Sequence, residues 1–317
     1  MKYMRKLSSK LLLALGVMIL GVIVWQVIVS KRVIGDIEKI GKVQSIEQMQ
    51  ELLKNEELKT YHAVSCRPFS KIKLRGVYAY ILKGDEYAVY VSDYCKKNIE
   101  TGINGNELFL NSLKWEAYNR DAPVLIFMPE DPPLVYCTPL QNYQRSQYEI
   151  YGFSGENTLL LCEGGNTDIA TDMSFIHLNL KDNDLLLSSA GLNCTSRVRN
   201  VQMNVDMENS MFYLNKLFAD HVNMDMQLQE SVFWDMLINS ETQIGTLSLK
   251  GTLNNQYKGV VGHDFRTMKI NYPGQCDSLL IQLAGNPGTA SELVLSNGLS
   301  GRFEEIDCSE NVVVIRE

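Results

Sequence analysis

The 317-residue chain lacks the short motifs by which many enzymes are recognised. It contains no H-E-x-x-H, G-x-S-x-G, Walker or dinucleotide-binding pattern. It has only four histidines, and none lies at zinc-ligand spacing from a cysteine. The most site-like pair, His263–Asp264, fits an ordinary turn. We therefore expect no catalytic residue, no metal and no cofactor.

Cysteine is sparse and dispersed, with seven in the chain and no C-x-x-C spacing. They are Cys66, Cys95, Cys137, Cys162, Cys194, Cys276 and Cys308. Outside the cytoplasm some of them could form disulfides, although seven cannot all pair within one chain. They serve equally well as small buried apolar residues. The sequence leaves both interpretations open.

Acidic residues are missing from the first 32 positions, which carry six Lys and Arg. The whole chain has 30 basic and 37 acidic residues, so 24 basic and 37 acidic residues, a formal charge of −13, fall in the remainder. A strongly acidic main part would repel phosphate backbones. We expect no nucleic-acid partner.

The one long apolar run lies inside that basic segment, from Leu11 to Ser30, and it contains no charged residue. Its 20 residues would form a helix about 30 Å long, the thickness of a membrane hydrocarbon core. A cleaved signal peptide is the alternative, but the run is too long for one and ends without an A-x-A site. Residues 1–32 are therefore predicted to be an anchor that crosses the membrane with residues 11–30. The predicted location is the inner membrane, with the N-terminus cytoplasmic and the head facing the periplasm.

Residues 33–60 are predicted to form a helical stalk between this anchor and the head. Ser45 is placed to cap a helix, and Glu47 lies in its first turn. Ile46, Met49 and Leu52 share one helical face. The stretch is too short for a coiled-coil seam.

The spacing of apolar residues changes to two after this point, which predicts an all-β head. In residues 61–140, a smaller N-terminal β part, Ile72 and Leu74 alternate with Lys and Arg. Two β-rich runs flank Gly84-Asp85, a pattern that predicts a hairpin. Residues 123–128 (PVLIFM) predict a further strand.

Residues 141–317 contain a repeat in which 201–217 align with 222–238 at an offset of 21. The matched apolar pairs include Val201/Val222, Met203/Met224, Phe212/Phe233, Tyr213/Trp234 and Leu217/Ile238. Such a period suits one coil of a β-solenoid, in which each coil stacks like residues on like residues. A β-sandwich is the alternative, and it would need no 21-residue register. The run 311–315 (NVVVI) would close the stack as its last strand.

The stretch from Phe69 to Leu134 resembles the GIN-domain family of Bacteroidetes envelopes, also called the "putative auto-transporter adhesin head" domain. The shared pattern includes Phe69, Gly76, the Gly84-Asp85 turn, the pair Leu108 and Leu110, and Pro123-Val124. The resemblance implies a right-handed β-helix with a smaller β part in front of it. It carries no catalytic residues, and it implies an adhesin-like binding role.

Two aromatic residues are the only ones that we assign to binding. Neighbouring residues of a strand point to opposite faces, so Tyr213 and Trp234 would lie outside if Phe212 and Phe233 lie inside. Stacked on adjacent coils, they would offer an aromatic ladder to an envelope glycan or protein. The alternative is that both rings pack under a loop.

The resulting functional hypothesis is a non-enzymatic binding or structural module of the cell envelope. A carbohydrate-active β-helix enzyme, a polysaccharide lyase or hydrolase, is the main alternative. It would need two carboxylates facing each other across a groove. The repeat sets Asn204 beside Asp225 and Asp206 beside Gln227, so it creates no such pair. A membrane protein that senses the envelope is a third possibility.

Overall fold

The computed structural model describes residues 2–64, 67–113, 122–140, 145–189, 198–208, 210–215, 218–228, 234–238, 243–253, 267–271, 275–285, 290–296 and 299–317. It contains three helices in these ranges: α1 (Lys2–Ile40), α2 (Ile46–Lys54) and the one-turn α3 (Asp93–Lys96). All other regular structure described is β. The structure is mostly β with one apolar N-terminal helix, so both predictions are confirmed in this form, although α2 and α3 show that the head is not entirely β.

The strands follow the two-residue spacing of the sequence and all belong to one hydrogen-bonded sheet. They are β1 (Tyr61–Val64), β2 (Lys71–Arg75), β3 (Ala79–Lys83), β4 (Ala88–Ser92), β5 (Ile99–Asn104), β6 (Glu107–Ser112), β7 (Val124–Met128), β8 (Leu134–Thr138), β9 (Arg145–Tyr151), β10 (Leu159–Thr171), β11 (Phe175–Ser189), β12 (Val198–Glu208), β13 (Met211–Asn215), β14 (Phe218–Leu228), β15 (Trp234–Ile238), β16 (Gln243–Leu253), β17 (Thr267–Asn271), β18 (Gln275–Gly285), β19 (Ser291–Ser296), β20 (Ser300–Cys308) and β21 (Val312–Arg316).

The strands pair in two parallel columns. One column runs β6, β2, β8, β10, β11, β12, β14, β16, β18, β20. The other runs β7, β3, β9, β10, β11, β13, β15, β17, β19, β21. The long strands β10 and β11 belong to both. In the described residues, antiparallel pairs occur only at the N-terminal end, where β5 joins β6, β4 joins β7 and β1 joins β4.

The hairpin predicted around Gly84-Asp85 is wrong, although both of its strands exist. Strands β3 and β4 do not pair with each other, because β7 lies between them, parallel to β3 and antiparallel to β4. All five residues of β7 are buried. A strand this apolar is stable only with neighbours on both edges and both faces covered.

The predicted 21-residue register is confirmed in one column and wrong in the other. Strands β12 and β14 pair Val201 with Val222 and Met203 with Met224. Strands β13 and β15 instead pair Tyr213 with Leu237, an offset of 24. The reason is loop length: two residues separate β12 from β13, whereas five separate β14 from β15.

The main core is built from the inward positions of both columns. In β2, buried Ile72 and Leu74 alternate with exposed basic residues, as the sequence predicts. Cys137 and Cys162, neighbours in register on β8 and β10, are both buried free thiols. Burial raises the pKa of the Cys95 thiol to about 11. These three cysteines therefore behave as the small buried apolar residues of the second interpretation.

A helical layer covers the outer face of β3, β7 and β9. Ser45 caps α2 as predicted and accepts a hydrogen bond from the Gln48 N–H at 3.3 Å. Met49 is fully buried in a second apolar cluster, where it joins Ile40, Leu125 and Phe127. The stretch predicted as a stalk is thus helical, and it packs on the sheet.

The last strands of the two columns carry charge at positions that are apolar one strand earlier. Glu304 of β20 is in register with buried Leu279, and Arg316 of β21 is in register with buried Leu295. Their side chains form an ion pair at 2.5 Å, and the Gly301 N–H also donates to Glu304. Charged residues at inward positions of an edge strand oppose the addition of a further strand. The pair therefore blocks extension of the stack at this end.

Replacing this ion pair with leucines (Glu304→Leu with Arg316→Leu) is expected to make the chain self-associate. The change leaves the net charge unaltered and extends the apolar core to the open edge. Sedimentation velocity of the detergent-solubilised protein would show dimers or larger species. The exposed pair Asp277 and Arg302, changed to leucines, is the matched control and should sediment like the unaltered protein. Equal behaviour of both variants would contradict the blocking role.

Candidate functional site where the long helix meets the sheet

Helix α1 is continuous over 39 residues and changes character along its length. From Ala14 to Ile40 it has the length and apolar composition of a membrane-crossing helix, a property that anchors and secretion signals share. The apolar side chains from Leu15 to Ile28 are exposed, and Trp25 is the most exposed of them at 67%. By contrast, Val33, Asp36 and Ile40 are buried against the head. One helix therefore has an uncovered apolar part and a docked end.

The docked end is held by a buried carboxylate. Oδ2 of Asp36 accepts hydrogen bonds from the N–H and Oγ1 of Thr60, at 2.7 and 2.6 Å. Ser92, the N-cap of α3, donates from its hydroxyl to Thr60 Oγ1 at 3.3 Å. The Thr60 carbonyl accepts from the Asp93 N–H. This chain of bonds joins α1 to the start of β1 and to α3.

An open groove of about 540 Å³ lies beside this junction. One wall is the face of α1 between Trp25 and Ile37, and Tyr94 of α3 lies opposite. The lining is mostly apolar, since it includes Val29, Val33 and Ile37. Tyr94 is half-exposed. The groove therefore continues the apolar surface of the helix onto the head.

Basic residues lie close in sequence to both sides of this groove. Lys96 and Lys97 follow Tyr94 and are both exposed. Asp93, on the other side of Tyr94, lies 3.0 Å from Nε2 of His62. Lys31 and Arg32 of α1 are exposed as well.

A tyrosine cluster occupies the outer face of β3 and β9. Glu149 accepts hydrogen bonds from the hydroxyls of Tyr78 and Tyr151, at 2.8 and 2.9 Å. The hydroxyls of Tyr78 and Tyr80 are 3.1 Å apart. Burial, with the nearby Glu149 charge, raises the pKa of all three phenols far above 10. They remain protonated donors at any physiological pH and have no role as bases.

This cluster predicts a loss of stability at high pH. The folded protein holds the three phenolic protons more tightly than the unfolded chain, so the contribution of these phenols to the free energy of unfolding is constant below about pH 9 and falls above pH 10. The expected slope is about 4 kcal/mol per pH unit for three groups, and Tyr78→Phe should remove about a third of it. Urea unfolding between pH 8 and 11 measures this slope. A stability independent of pH up to 11 would contradict the assignment.

Two further carboxylates hold turns. Burial opposes ionisation of Asp131, but hydrogen bonds from Ser154 and Gly155 and the nearby Lys83 lower its pKa overall. Burial raises the pKa of Asp172, which accepts from the Gly152 N–H at 2.9 Å. Both groups are thus occupied by backbone donors.

A second groove, of about 530 Å³, lies between α2 and β4. Tyr90 and Phe127 form its aromatic part, with their rings edge to face at 6.0 Å. Lys54, Asp85 and Glu86 form its charged part. An aromatic wall with a few polar groups is typical of small-molecule sites.

The two residues predicted to bind lie elsewhere, in the second column. Their side chains fall outside the described part, but their backbone register is clear. Tyr213 is in register with Leu237, and Trp234 is in register with Met268. The predicted ladder of these two rings on adjacent coils is therefore wrong, whereas their role in binding stays a prediction. The predicted pairing of Asn204 with Asp225 and of Asp206 with Gln227 is confirmed.

Sequence reasoning missed Asp36, Thr60 and Tyr94. Asp36 carried a usable signal: it is the first acid after the apolar run, and it lies on the helical face of Val33 and Ile40. Thr60 and Tyr94 carried no such signal, because nothing in the sequence around them indicates contact with a helix. In the described residues, no three or more His, Cys, Asp and Glu side chains come together as a metal site would require.

The comparisons with known proteins give structural likeness only. No family model and no curated protein matches the chain. The fold is similar to a "putative lipid binding protein" from Parabacteroides distasonis (8% identity, TM-score 0.41, 81% of this chain and 93% of that one). It is also similar to "putative adhesin" structures from Parabacteroides merdae (9%, TM-score 0.40, 81% and 95%) and Bacteroides fragilis (11%, TM-score 0.29, 81% and 96%). At these values the likenesses establish neither a family nor a function for this chain.

Proposed function

We propose that this chain is a membrane-anchored β-solenoid of the bacterial envelope, with a head outside the cytoplasm that acts as a non-enzymatic binding or structural module. The observation that carries the proposal is α1. Its uncovered apolar part matches a bilayer in length, and Val33, Asp36 and Ile40 of its last turns are buried in the head. An anchor whose end is buried in the folded head would hold that head at the membrane.

An uncleaved anchor accounts for this helix better than a secretion signal does. A signal is followed by a short extended segment that the peptidase can enter. Here the helix runs unbroken through residues 27–32, and Val33, Asp36 and Ile40 are buried directly after them. The solenoid is supported by the two parallel columns. From β8 and β9 onward their strands recur every 18 to 34 residues, from Leu159↔His177 to Trp234↔Met268.

The polar groups at the junction also favour a holding role. Asp36, Thr60 and Ser92 are buried and bonded to one another, so they offer no free acid or base to a substrate. The second groove and the residues Tyr213 and Trp234 are the proposed contacts for an envelope glycan or protein.

The location is tested with the full chain carrying an epitope at each end. In spheroplasts, external protease should remove the C-terminal epitope and leave the N-terminal one in the membrane. The intact protein should retain residues 1–32 by mass. Leu20→Arg with Ile23→Arg, each costing about 3 kcal/mol in the membrane, should release the protein into the soluble fraction. A mature N-terminus beyond residue 30, or a head protected until lysis, would overturn the proposal.

Binding is tested separately on a panel of envelope glycans. Tyr213→Ala and Trp234→Ala should each abolish binding and leave the melting temperature unchanged. A large loss of stability would identify these side chains as core residues and remove them from the proposal. The variant Tyr90→Ala reports on the second groove in the same assay.

A further inference from the structure

We propose that the groove between α1 and Tyr94 binds a phospholipid of the head-side leaflet. An acyl chain would lie along the 25–37 face of α1, and the phosphate would meet Lys96 and Lys97. This inference rests on the proposed membrane anchoring and adds a lipid contact made by the head itself.

The first argument is the height of the groove. At about 1.5 Å per residue, Leu11 to Ser30 fills the hydrocarbon core, so Trp25 lies about 7 Å inside its edge and Ile37 about 10 Å beyond it. The headgroup layer is roughly 5–8 Å thick on each side. The groove therefore straddles the boundary between acyl chains and headgroups.

The second argument is that the apolar face of α1 does not stop where the membrane does. Residues 25, 29, 33 and 37 are spaced by four and share one face, whereas Lys31 lies on the opposite face. Ile34 remains 53% exposed beyond Lys31. Val33 is covered by the head, but Ile34 is left in water unless a lipid chain covers it.

The third argument is charge. The part of the chain after residue 32 has a formal charge of −13, yet Lys96 and Lys97, which follow Tyr94 and the buried Cys95, are both exposed. Asp93, the nearest acid, is engaged by His62. Lysines at a membrane surface attract anionic headgroups. Tyrosine is also enriched at this depth, where its ring is apolar and its hydroxyl wet.

The test places a photo-crosslinking benzoylphenylalanine at one of three positions of the full chain in living cells. Position 94 tests the groove, position 25 reports on the anchor, and position 303 is the control because Phe303 is 57% exposed on β20. Lipid adducts, detected by mass spectrometry, are expected at 94 and 25 and absent at 303.

Each other outcome overturns a definite claim. Adducts at 25 alone leave the anchor standing and overturn the lipid groove. Adducts at neither 25 nor 94 overturn the anchor itself. A protein crosslink at 94 would mean that a second copy or another protein fills the groove. Lipid adducts at 303 as well would mean that the head contacts lipid without specificity.

The phosphate contact is tested in nanodiscs with the label at 94. In phosphatidylglycerol, Lys96→Gln with Lys97→Gln should weaken lipid capture about fivefold per lysine. In phosphatidylcholine it should change little. The exposed lysines of β2 provide the matched control, Lys71→Gln with Lys73→Gln, which should have no effect in either lipid. An equal loss in both variants would overturn the assignment of Lys96 and Lys97.

Discussion

Replacing Asp36 with alanine is expected to lower the free energy of unfolding by about 2–4 kcal/mol. The side chain is 4% exposed and accepts both polar hydrogens of Thr60, which is itself buried. Alanine leaves a buried N–H and a buried hydroxyl without their acceptor, and such groups carry the full cost of desolvation. Urea unfolding in detergent micelles, followed by circular dichroism, measures the loss.

Two further variants separate this effect from a general change in the helix. Asp36→Asn keeps an oxygen that can accept from Thr60 and should cost only about 1 kcal/mol. Glu38→Ala removes a nearby exposed carboxylate and should be close to neutral. If Asp36→Ala matched Glu38→Ala, the junction would not depend on this carboxylate.

The junction matters for function because it sets how the head is held. A head on a flexible linker samples many orientations, whereas a helix buried at its end transmits its own direction to the sheet. The hydrogen bonds among Asp36, Thr60 and Ser92, together with the apolar contacts of Met49, fix this end of α1. With the anchoring proposed above, this junction would hold the N-terminal end of the stack next to the membrane.

The sequence predicts those features that depend on local pattern. The helix cap at Ser45 and the alternation of Ile72 and Leu74 with basic residues follow from spacing alone, and both are confirmed. The register of Met203 with Met224 was predictable because paired strands of a column direct apolar residues toward the core at matching positions.

The features that were missed depend on contacts between distant segments. The spacing of apolar residues within strands does not show how many residues each loop contains. The offset of 24 between Tyr213 and Leu237 therefore could not be predicted from it. The insertion of β7 between β3 and β4 depends on burial of both of its faces. The bond from Thr60 to Asp36 spans 24 residues and leaves no periodic signal. The binding residues Tyr213 and Trp234 stay predictions for a related reason, since exposure is a property of the packed coil.

Substituting Gly155 with alanine is expected to cost more than about 4 kcal/mol, the largest single-residue effect that we predict. Gly155 has a φ of +81°, and an added Cβ would lie 1.9 Å from the carbonyl oxygen of Phe175. The two segments cannot simply separate, because the Phe175 N–H donates to the Ser154 carbonyl at 3.0 Å. Asp131 holds the same turn from the other side. The free-energy costs of the steric overlap and of the left-handed backbone therefore add.

Gly105→Ala is the matched control, because it introduces the same methyl group at a similar backbone angle. Gly105 has a φ of +63°, but nothing lies within 4 Å of the added Cβ. Only the left-handed conformation is penalised there, at about 1 kcal/mol. Urea midpoints of the two variants should therefore differ clearly. Equal losses would mean that the turn at 155 moves away from Phe175 at little cost, and that the close contact between β11 and the turn before β10 is not needed for the stack to fold.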